Sequence, residues 1–240
     1  IIKGNWEPNS LHMERMMVLD SDRLKELGIN TVSVSVDYEF NKDGTYFTRD
    51  EERMISNIVR AKANGFAVQV AVNFMGATCP DFKKEGINVT KERFLEISEE
   101  VALKWAKIAE EYKVEFFCPQ SEVDYLVEAN FAGEGSEIER KFEAARIIGN
   151  WHKRILPKIK EVFKGKVLVE FAWTDRIKTE TGESYVGYDY IGTAISHNSL
   201  DLEMFRSRVR ERYSDAADLA KKSNSSWFIK EAWFPFGGPW

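Results

Sequence analysis

The sequence predicts an α/β fold in the class of the (β/α)8 TIM barrel. Short runs rich in β-branched and aromatic residues alternate with longer amphipathic segments along all 240 residues, which is typical of strand and helix units around a parallel sheet. Seven such runs can be counted, more than an open doubly wound sheet usually has. A closed barrel needs an eighth, so we expect either that the last βα unit is missing from this chain or that one strand has escaped the count. An open α/β sheet is the alternative.

The predicted strands are short and are bounded by glycine, charged or loop-forming residues. They cover residues 1–6, 29–40, 66–74, 114–122, 166–173, 188–196 and 225–233. Helical periodicity fills the intervals between them. The clearest helix runs from 90 to 112, with Thr90 as its N-cap. Other helices are predicted from Thr48 or Asp50 to Gly65, from 136 to 163, from 201 to 222, and in a segment that ends at Gly28.

Composition excludes several classes of partner. Charged residues make up 30% of the chain, mixed in sign, with a net charge of -5, so no basic stripe is present for a nucleic acid. No apolar run is long enough to span a membrane. No domain boundary interrupts the pattern, so residues 1–240 are predicted to form a single barrel domain. Glu and Lys are abundant on the helices, as accompanies ion-pair networks in heat-stable proteins.

Cysteine and histidine give no metal or cofactor site. Cys79 and Cys118 have no metal-ligand spacing and are predicted to be separate thiols, with a disulfide as the alternative. His12 and His152 fall in helical segments and are predicted to be surface or capping residues. The glycines at 236–238 follow a strand but open no helix, so no nucleotide fingerprint is present.

Polar and aromatic residues gather at the predicted strand ends. In barrels of this class the carboxyl ends of the strands surround the active site. Tryptophan and tyrosine faces can stack on the apolar faces of sugar rings, and acids, amides and histidine can bind sugar hydroxyls. The candidates are Trp6, Asp37, Tyr38, Asn73, Ser121, Glu122, Trp173, His197, Asn198, Glu231 and Trp233.

Two of these acids fit the hydrolysis of a glycosidic bond. One carboxylic acid must protonate the leaving oxygen, and one carboxylate must attack the sugar or activate water. Glu122 and Glu231 end the predicted fourth and seventh strands. The alternatives are that Glu231 is a structural acid paired with a buried cation and that Glu122 belongs to a polar loop. The tryptophans could equally be core residues, and Asp37 a hydrogen-bonded acid at a strand end.

Short stretches of the chain resemble a known group of enzymes. "PQSE" at 119–122 and "FIKEAW" at 228–233 resemble the two catalytic strand ends of glycoside hydrolase clan A, the retaining (β/α)8 enzymes. "LKELGINTVSVSVDYEF" at 24–40 and "YDYIGTAISHN" at 188–198 are similar to segments of the family 113 endo-β-mannanases and the family 53 endo-β-1,4-galactanases. The resemblance covers most of the chain in layout but only these stretches in residues.

The resemblance implies a retaining endo-β-glycosidase that acts on a mannan-like polysaccharide. Glu122 would be the general acid/base and Glu231 the nucleophile. Many clan members have asparagine immediately before the acid/base, whereas this chain has Ser121, and His197 stands near the position of an aromatic residue that orients the nucleophile. Ser121 keeps open a second hypothesis, a carbohydrate-binding barrel that has lost hydrolysis.

Overall fold

Alternating strands and helices form two compact units. The structure, a computed structural model, describes residues 4–7, 20–48, 51–74, 81–172, 175–196 and 201–233. One unit comprises Ile1–Gln120 and Pro157–Val167, and the other comprises Ser121–Leu156 and Leu168–Trp240. The prediction of a single domain stays a prediction.

The first unit is built on parallel strands. β1 (Gly4–Glu7), β2 (Thr31–Asp37), β5 (Ala67–Asn73) and β6 (Phe116–Cys118) pair in that order, and β6 pairs with the first residues of β7 (Lys166–Phe171). A short antiparallel hairpin of β3 (Glu39–Phe40) and β4 (Tyr46–Phe47) follows β2. The helices are α1 (Ser21–Glu26), α2 (Glu51–Ala63), α3 (Phe82–Glu85) and α4 (Lys91–Glu111).

Local signals set the helix ends of this unit. Thr90 accepts a hydrogen bond from the Arg93 amide at the start of α4, as its predicted N-cap role requires. Gly28 and Gly65 adopt positive φ values of 78° and 79° just beyond α1 and α2, a conformation that glycine takes without steric cost.

β2 and β5 have one apolar and one polar face. Valines at alternate positions of both strands are buried, and α2 packs on both strands. The opposite faces carry Ser33, Ser35 and Asp37 on β2, in register with Gln69, Ala71 and Asn73 on β5. Because register partners share a face, this side of the sheet carries hydrogen-bonding side chains up to the strand ends, except at Ala71.

The second unit contains the later strands. The rest of β7, β8 (Tyr190–Ser196) and β9 (Ser226–Trp233) pair in parallel. The helices are α5 (Val123–Phe131), the first part of α6 (Glu137–Val162), which continues into the first unit, and α7 (Leu202–Ser223). Two 3-10 helices, Asp175–Thr179 and Gly182–Tyr185, follow β7.

A β-bulge interrupts the pairing of β8 with β9. Thr193 pairs with Ile229, but the next residue, Ala194, pairs with Glu231. Lys230 is therefore the extra residue of the bulge. On the N-terminal side of the bulge, Gly192 faces Phe228 so closely that an added Cβ would lie 2.4 Å from the ring.

The structure agrees with the sequence at most elements, shortens the fourth strand, and adds short elements that were not predicted. The described residues contain seven parallel strands, as predicted. The fourth strand, predicted at 114–122, is regular only over Phe116–Cys118, and Ser121 then forms an isolated bridge with Glu170. The segment after Glu122, for which no element was predicted, is helix α5. No helix within the described ranges has the length and hydropathy needed to cross a membrane.

Candidate active site

Glu122 occupies an unusual backbone position in the second unit. It directly precedes α5 and has φ 55° and ψ 24°, in the left-handed region, which costs a residue with a side chain about 1–2 kcal/mol. Its amide donates a 3.0 Å hydrogen bond to the Glu170 carbonyl, and its own carbonyl accepts from the Tyr125 amide. Its side chain does not cap the helix. The backbone is therefore fixed on both sides while the carboxylate is directed elsewhere.

The Glu122 carboxylate meets a cation from β9. Lys230 Nζ lies 2.5 Å from Glu122 Oε1, and the two side chains are only 9% and 14% exposed. Lys230 immediately precedes Glu231, which lies in β9 opposite Ala194. Consecutive Cα atoms are about 3.8 Å apart, so the strand that carries Glu231 passes within side-chain reach of Glu122. The side chain of Glu231 itself lies outside the described residues.

Ser121 and Glu170 complete the surroundings of Glu122. The parallel bridge between them brings the end of the predicted fourth strand to β7. Both side chains are buried, Ser121 at 6% and Glu170 at 2% exposure. The preceding residue, Gln120, belongs to the first unit and is also buried.

The first unit brings Asp37 and Asn73 together at the ends of β2 and β5. They are register partners, and the Asn73 side chain hydrogen-bonds the Asp37 carboxyl. Ser35 Oγ donates to Asp37 Oδ1 at 2.9 Å. Burial raises the pKa of Asp37; the Ser35 and Asn73 hydrogen bonds oppose this shift, and the charge of Glu39 adds to it. This arrangement offers hydrogen-bonding oxygens and an amide at one strand edge.

Tyr38 is a core residue in this unit. Its side chain is 3% exposed, and its hydroxyl accepts a 2.9 Å hydrogen bond from Trp105 Nε1. The ring packs against Phe74 and Tyr46 at centroid distances of 5.5 and 5.8 Å. These contacts place the Tyr38 side chain in the core of the unit, although Tyr38 directly follows Asp37 at the strand end.

Several predicted site residues cannot be compared with the structure. Trp6 lies in β1 and Trp233 in β9, but their side chains are outside the described part of the chain. Trp173, His197, Asn198, His12 and Cys79 lie outside the described residues. Cys118 is buried, and its thiol donates to the Gln120 carbonyl at 3.3 Å.

His152 was predicted at the surface or at a cap, and this prediction is wrong. Its side chain is fully buried on α6, and Nδ1 shares a 2.7 Å hydrogen bond with the Tyr188 hydroxyl. Burial lowers the pKa of His152 to about 3, so the ring is neutral. Its helical spacing from the buried residues Ile148 and Ile155 is the signal that could have placed it on the apolar face.

A buried acid that bonds Tyr185, whose ring packs against His152, was also missed. Glu180 Oε2 accepts a 2.6 Å hydrogen bond from the Tyr185 hydroxyl, and both side chains are buried. Burial raises the pKa of Glu180 well above its ordinary value; the Tyr185 hydrogen bond opposes the shift and the nearby Asp124 charge adds to it. Asp124 Oδ1 in turn accepts from the Ala172 amide at the end of β7. Sequence periodicity offers no signal for this acid, which lies between two 3-10 helices.

Comparison with known proteins shows the fold class. No family model matches the chain, and no curated protein matches it. Among solved structures, one GH113 β-1,4-mannanase has a TM-score of 0.64 at 15% identity, with 96% of this chain and 71% of that chain covered. A GH113 β-mannanase from Alicyclobacillus acidocaldarius gives 0.64 at 14% identity, with 96% and 70% covered.

A further solved structure extends the likeness. A structure of fungal β-1,4-galactanases has a TM-score of 0.56 at 14% identity, with 96% of this chain and 73% of that chain covered. The chain thus has the (β/α)8 barrel fold predicted from the sequence, and its predicted likeness in fold to β-mannanases and β-1,4-galactanases is confirmed. These structural neighbours are named as β-mannanases and β-1,4-galactanases, and at 14–15% identity the likeness is one of fold.

Proposed function

We propose that the protein is a retaining endo-β-glycosidase in which Glu122 is the general acid/base and Glu231 the nucleophile. The observation that carries this proposal is the 2.5 Å contact between Glu122 Oε1 and Lys230 Nζ. It brings the strand that bears Glu231 next to Glu122, although the two contacting residues are 108 positions apart. The left-handed backbone of Glu122 adds support, because strained residues cluster at functional sites.

The proposed reaction is a double displacement. Glu231 attacks the anomeric carbon while Glu122 gives its proton to the departing glycosidic oxygen, so the sugar–oxygen bond breaks as a glycosyl–enzyme ester forms. Glu122, now a carboxylate, removes a proton from water, which attacks the same carbon and frees Glu231. Retention requires the two carboxyl groups to lie about 5–5.5 Å apart.

A mannan-like polysaccharide is the substrate we propose. Two of the structural neighbours described above are β-mannanases, and the sequence resemblance points to the same family. Trp6, Trp173 and Trp233 are the proposed stacking surfaces for sugar rings. Asp37, Asn73, Ser121, His197 and Asn198 are the proposed polar ligands; Asp37 and Asn73 already share a hydrogen bond at one strand edge.

Variants of the two glutamates test the mechanism. Glu231→Ala and Glu122→Ala should each lower kcat on mannan by about 10³-fold or more, because each group takes part directly in breaking the glycosidic bond. Sodium azide should restore turnover of an activated aryl β-glycoside in both. The Glu122 variant should yield a β-glycosyl azide, formed from the glycosyl–enzyme, and the Glu231 variant an α-glycosyl azide, formed by direct attack.

The matched control is Glu203→Gln, an exposed acid in the first turn of α7, which should leave kcat and the unfolding temperature unchanged. Loss of activity in parallel with loss of thermal stability in the Glu231 variant would identify a structural acid instead. A screen of mannan, galactan, glucan, xylan and chitin derivatives, with product masses, tests the substrate.

A second candidate function is carbohydrate binding without hydrolysis. The observation that favours it is the same ion pair, since a carboxylate held by Lys230 is engaged in a structural contact. Ser121 in place of the asparagine found in many clan members agrees with this reading. Calorimetry with mannooligosaccharides separates the two: binding without release of reducing ends over days would favour the binding barrel.

A further inference from the structure

Lys230 stands at an irregular point of β9. In the pairing with β8, Ile229 and Glu231 lie opposite the consecutive residues Thr193 and Ala194, and Lys230 has no place in the ladder. A bulge of this kind re-aims side chains and is common beside active sites. Here the extra residue is the one whose ammonium group contacts Glu122.

This ion pair is shielded from solvent. With 9% and 14% of the two side chains exposed, the charges interact in a medium less polar than water and are weakly screened by salt. A short contact between an ammonium and a carboxylate is a strong, charge-assisted hydrogen bond. The contact therefore holds the Glu122 carboxylate in position and favours its ionised form.

The charge state of Glu122 is in tension with its proposed role. A general acid must hold a proton when the substrate arrives. A lysine ammonium in direct contact favours the ionised carboxylate. Glu122 is thus stabilised in the form that serves the second step of the reaction, not the first.

We propose that Lys230 is a positioning residue that stabilises ionised Glu122 and thereby confines turnover to acidic pH. This inference rests on the proposed function. Glu122 takes up a proton from solvent before glycosylation and passes it to the glycosidic oxygen as the sugar–oxygen bond breaks. The Lys230 ammonium keeps its own protons throughout and stabilises the carboxylate that remains. That carboxylate then accepts a proton from the attacking water.

Glu122 also contacts β7 through its backbone and directly precedes α5, and both elements carry acids. From β7, the Glu170 carbonyl accepts the Glu122 amide hydrogen, and the buried Glu170 carboxyl belongs to the same strand end. From α5, Asp124 bonds the Ala172 amide and interacts with Glu180 beyond it. Glu231 follows Lys230 on β9, with its side chain outside the described residues. The Lys230 ammonium contacts the Glu122 carboxylate directly, so its removal should shift the titration of Glu122.

The test compares pH profiles of kcat/KM for the wild type, Lys230→Met and Lys230→Arg. The basic limb reports loss of the proton from the general acid in the free enzyme. In Lys230→Met it should move to higher pH by about one unit or more, a tenfold or larger change in proton affinity. Lys230→Arg keeps the charge and should keep the wild-type limb. If Lys230→Met does not fold, Lys230→Gln takes its place in the comparison.

Lys141→Met is the matched control. Lys141 is 14% exposed and pairs with Glu137 at 2.6 Å on α6, so the variant removes a similarly covered cation away from the strand ends. Lys141→Met should leave the basic limb of the kcat/KM profile at its wild-type pH. A purely structural role of Lys230 would lower the unfolding temperature of Lys230→Met without moving the limb, and that result overturns the proposal.

A second readout does not need catalysis. The carbon-13 NMR titration of the Glu122 carboxyl, assigned with Glu122→Gln, should move to higher pH in Lys230→Met by about the same amount. An unchanged titration overturns the inference. A shifted titration in a protein that hydrolyses none of the screened glycans supports the charge coupling and rejects the proposed function.

Discussion

Tyr185 donates a 2.6 Å hydrogen bond to Glu180 in the interior of the second unit. The acid is buried, and its pKa lies well above its ordinary value because burial removes water from the charged form, an effect that the hydrogen bond opposes and the Asp124 charge reinforces. Glu180 therefore stays protonated in the folded protein at pH values where it is ionised in the unfolded chain. The pair couples stability to pH.

The free energy of unfolding of the wild type should fall as the pH rises, and Glu180→Gln should abolish this fall. Above about pH 4.5, the ordinary value of a glutamate, the unfolded chain releases a proton that the folded protein keeps, so the free energy of unfolding falls with pH up to the folded pKa. One proton corresponds to a slope of about 1.4 kcal/mol per pH unit. Urea unfolding of both proteins from pH 5 to pH 7 measures the difference.

The control for this prediction is Glu183→Gln, an exposed acid on the adjacent 3-10 helix. Its stability should follow the wild-type dependence on pH. Equal slopes for wild type and Glu180→Gln would mean that Glu180 is already ionised in the folded protein.

His152 should produce a pH dependence of the opposite sign. Its pKa is lowered by burial from 6.5 to about 3, so between these values the unfolded chain binds a proton that the folded protein does not. The free energy of unfolding then falls as the pH drops through that window. His152→Phe should be less stable at pH 7 by about 1 kcal/mol for the lost hydrogen bond, yet lose less on acidification to pH 4.

Tyr188→Phe separates the two contributions of His152 to stability, its hydrogen bond and its titration. It removes the hydrogen bond to Nδ1 but leaves the imidazole in place. It should lower stability at every pH and keep the wild-type slope. If its slope instead matched that of His152→Phe, the titrating group would be another residue.

Tyr38→Phe should affect folding and not sugar binding. The substitution leaves the Trp105 indole N–H without its acceptor in a buried place, which costs about 1–3 kcal/mol. KM for mannooligosaccharides should stay within a factor of two, because the buried hydroxyl is engaged by the Trp105 indole. A tenfold rise in KM at an unchanged unfolding temperature would show that the Tyr38 hydroxyl binds the sugar.

Asp37→Asn tests the strand-end edge of the first unit. If Asp37 accepts a sugar hydroxyl, the variant should raise KM by about tenfold, since a hydrogen bond to a charged group contributes roughly 1.5–3 kcal/mol. Asp43→Asn, in the exposed turn between β3 and β4, is the control and should leave KM unchanged. A fall in stability with an unchanged KM would make Asp37 a hydrogen-bonded structural acid.

Local signals account for the parts of the fold that could be predicted. The alternating valines of β2 and the N-cap at Thr90 act within a few residues, so the sequence shows them directly. Helix α5 was missed because Glu122 gives it no side-chain cap. The hairpin of β3 and β4 was missed because each of its strands has only two residues.

The site was predictable only in its separate parts. Strand ends indicated Glu122 and Glu231, but nothing in a local pattern relates Glu122 to Lys230, 108 positions away. The bulge that makes Lys230 the extra residue depends on the pairing of two strands. The periodicity of a single segment contains no information about that pairing. Burial of Glu180 likewise arises from tertiary packing and not from its neighbours in the chain.

The closeness of Gly192 to the Phe228 ring has a consequence for mutational tolerance. Any side chain at 192 would occupy the space of that ring. Although Gly192 has no functional group, it should therefore be among the least replaceable residues in a saturation mutagenesis library. A smaller residue at 228 would relieve the restriction. Pairs of substitutions at 192 and 228 would then survive where single ones at 192 do not, and the two positions would vary together during evolution.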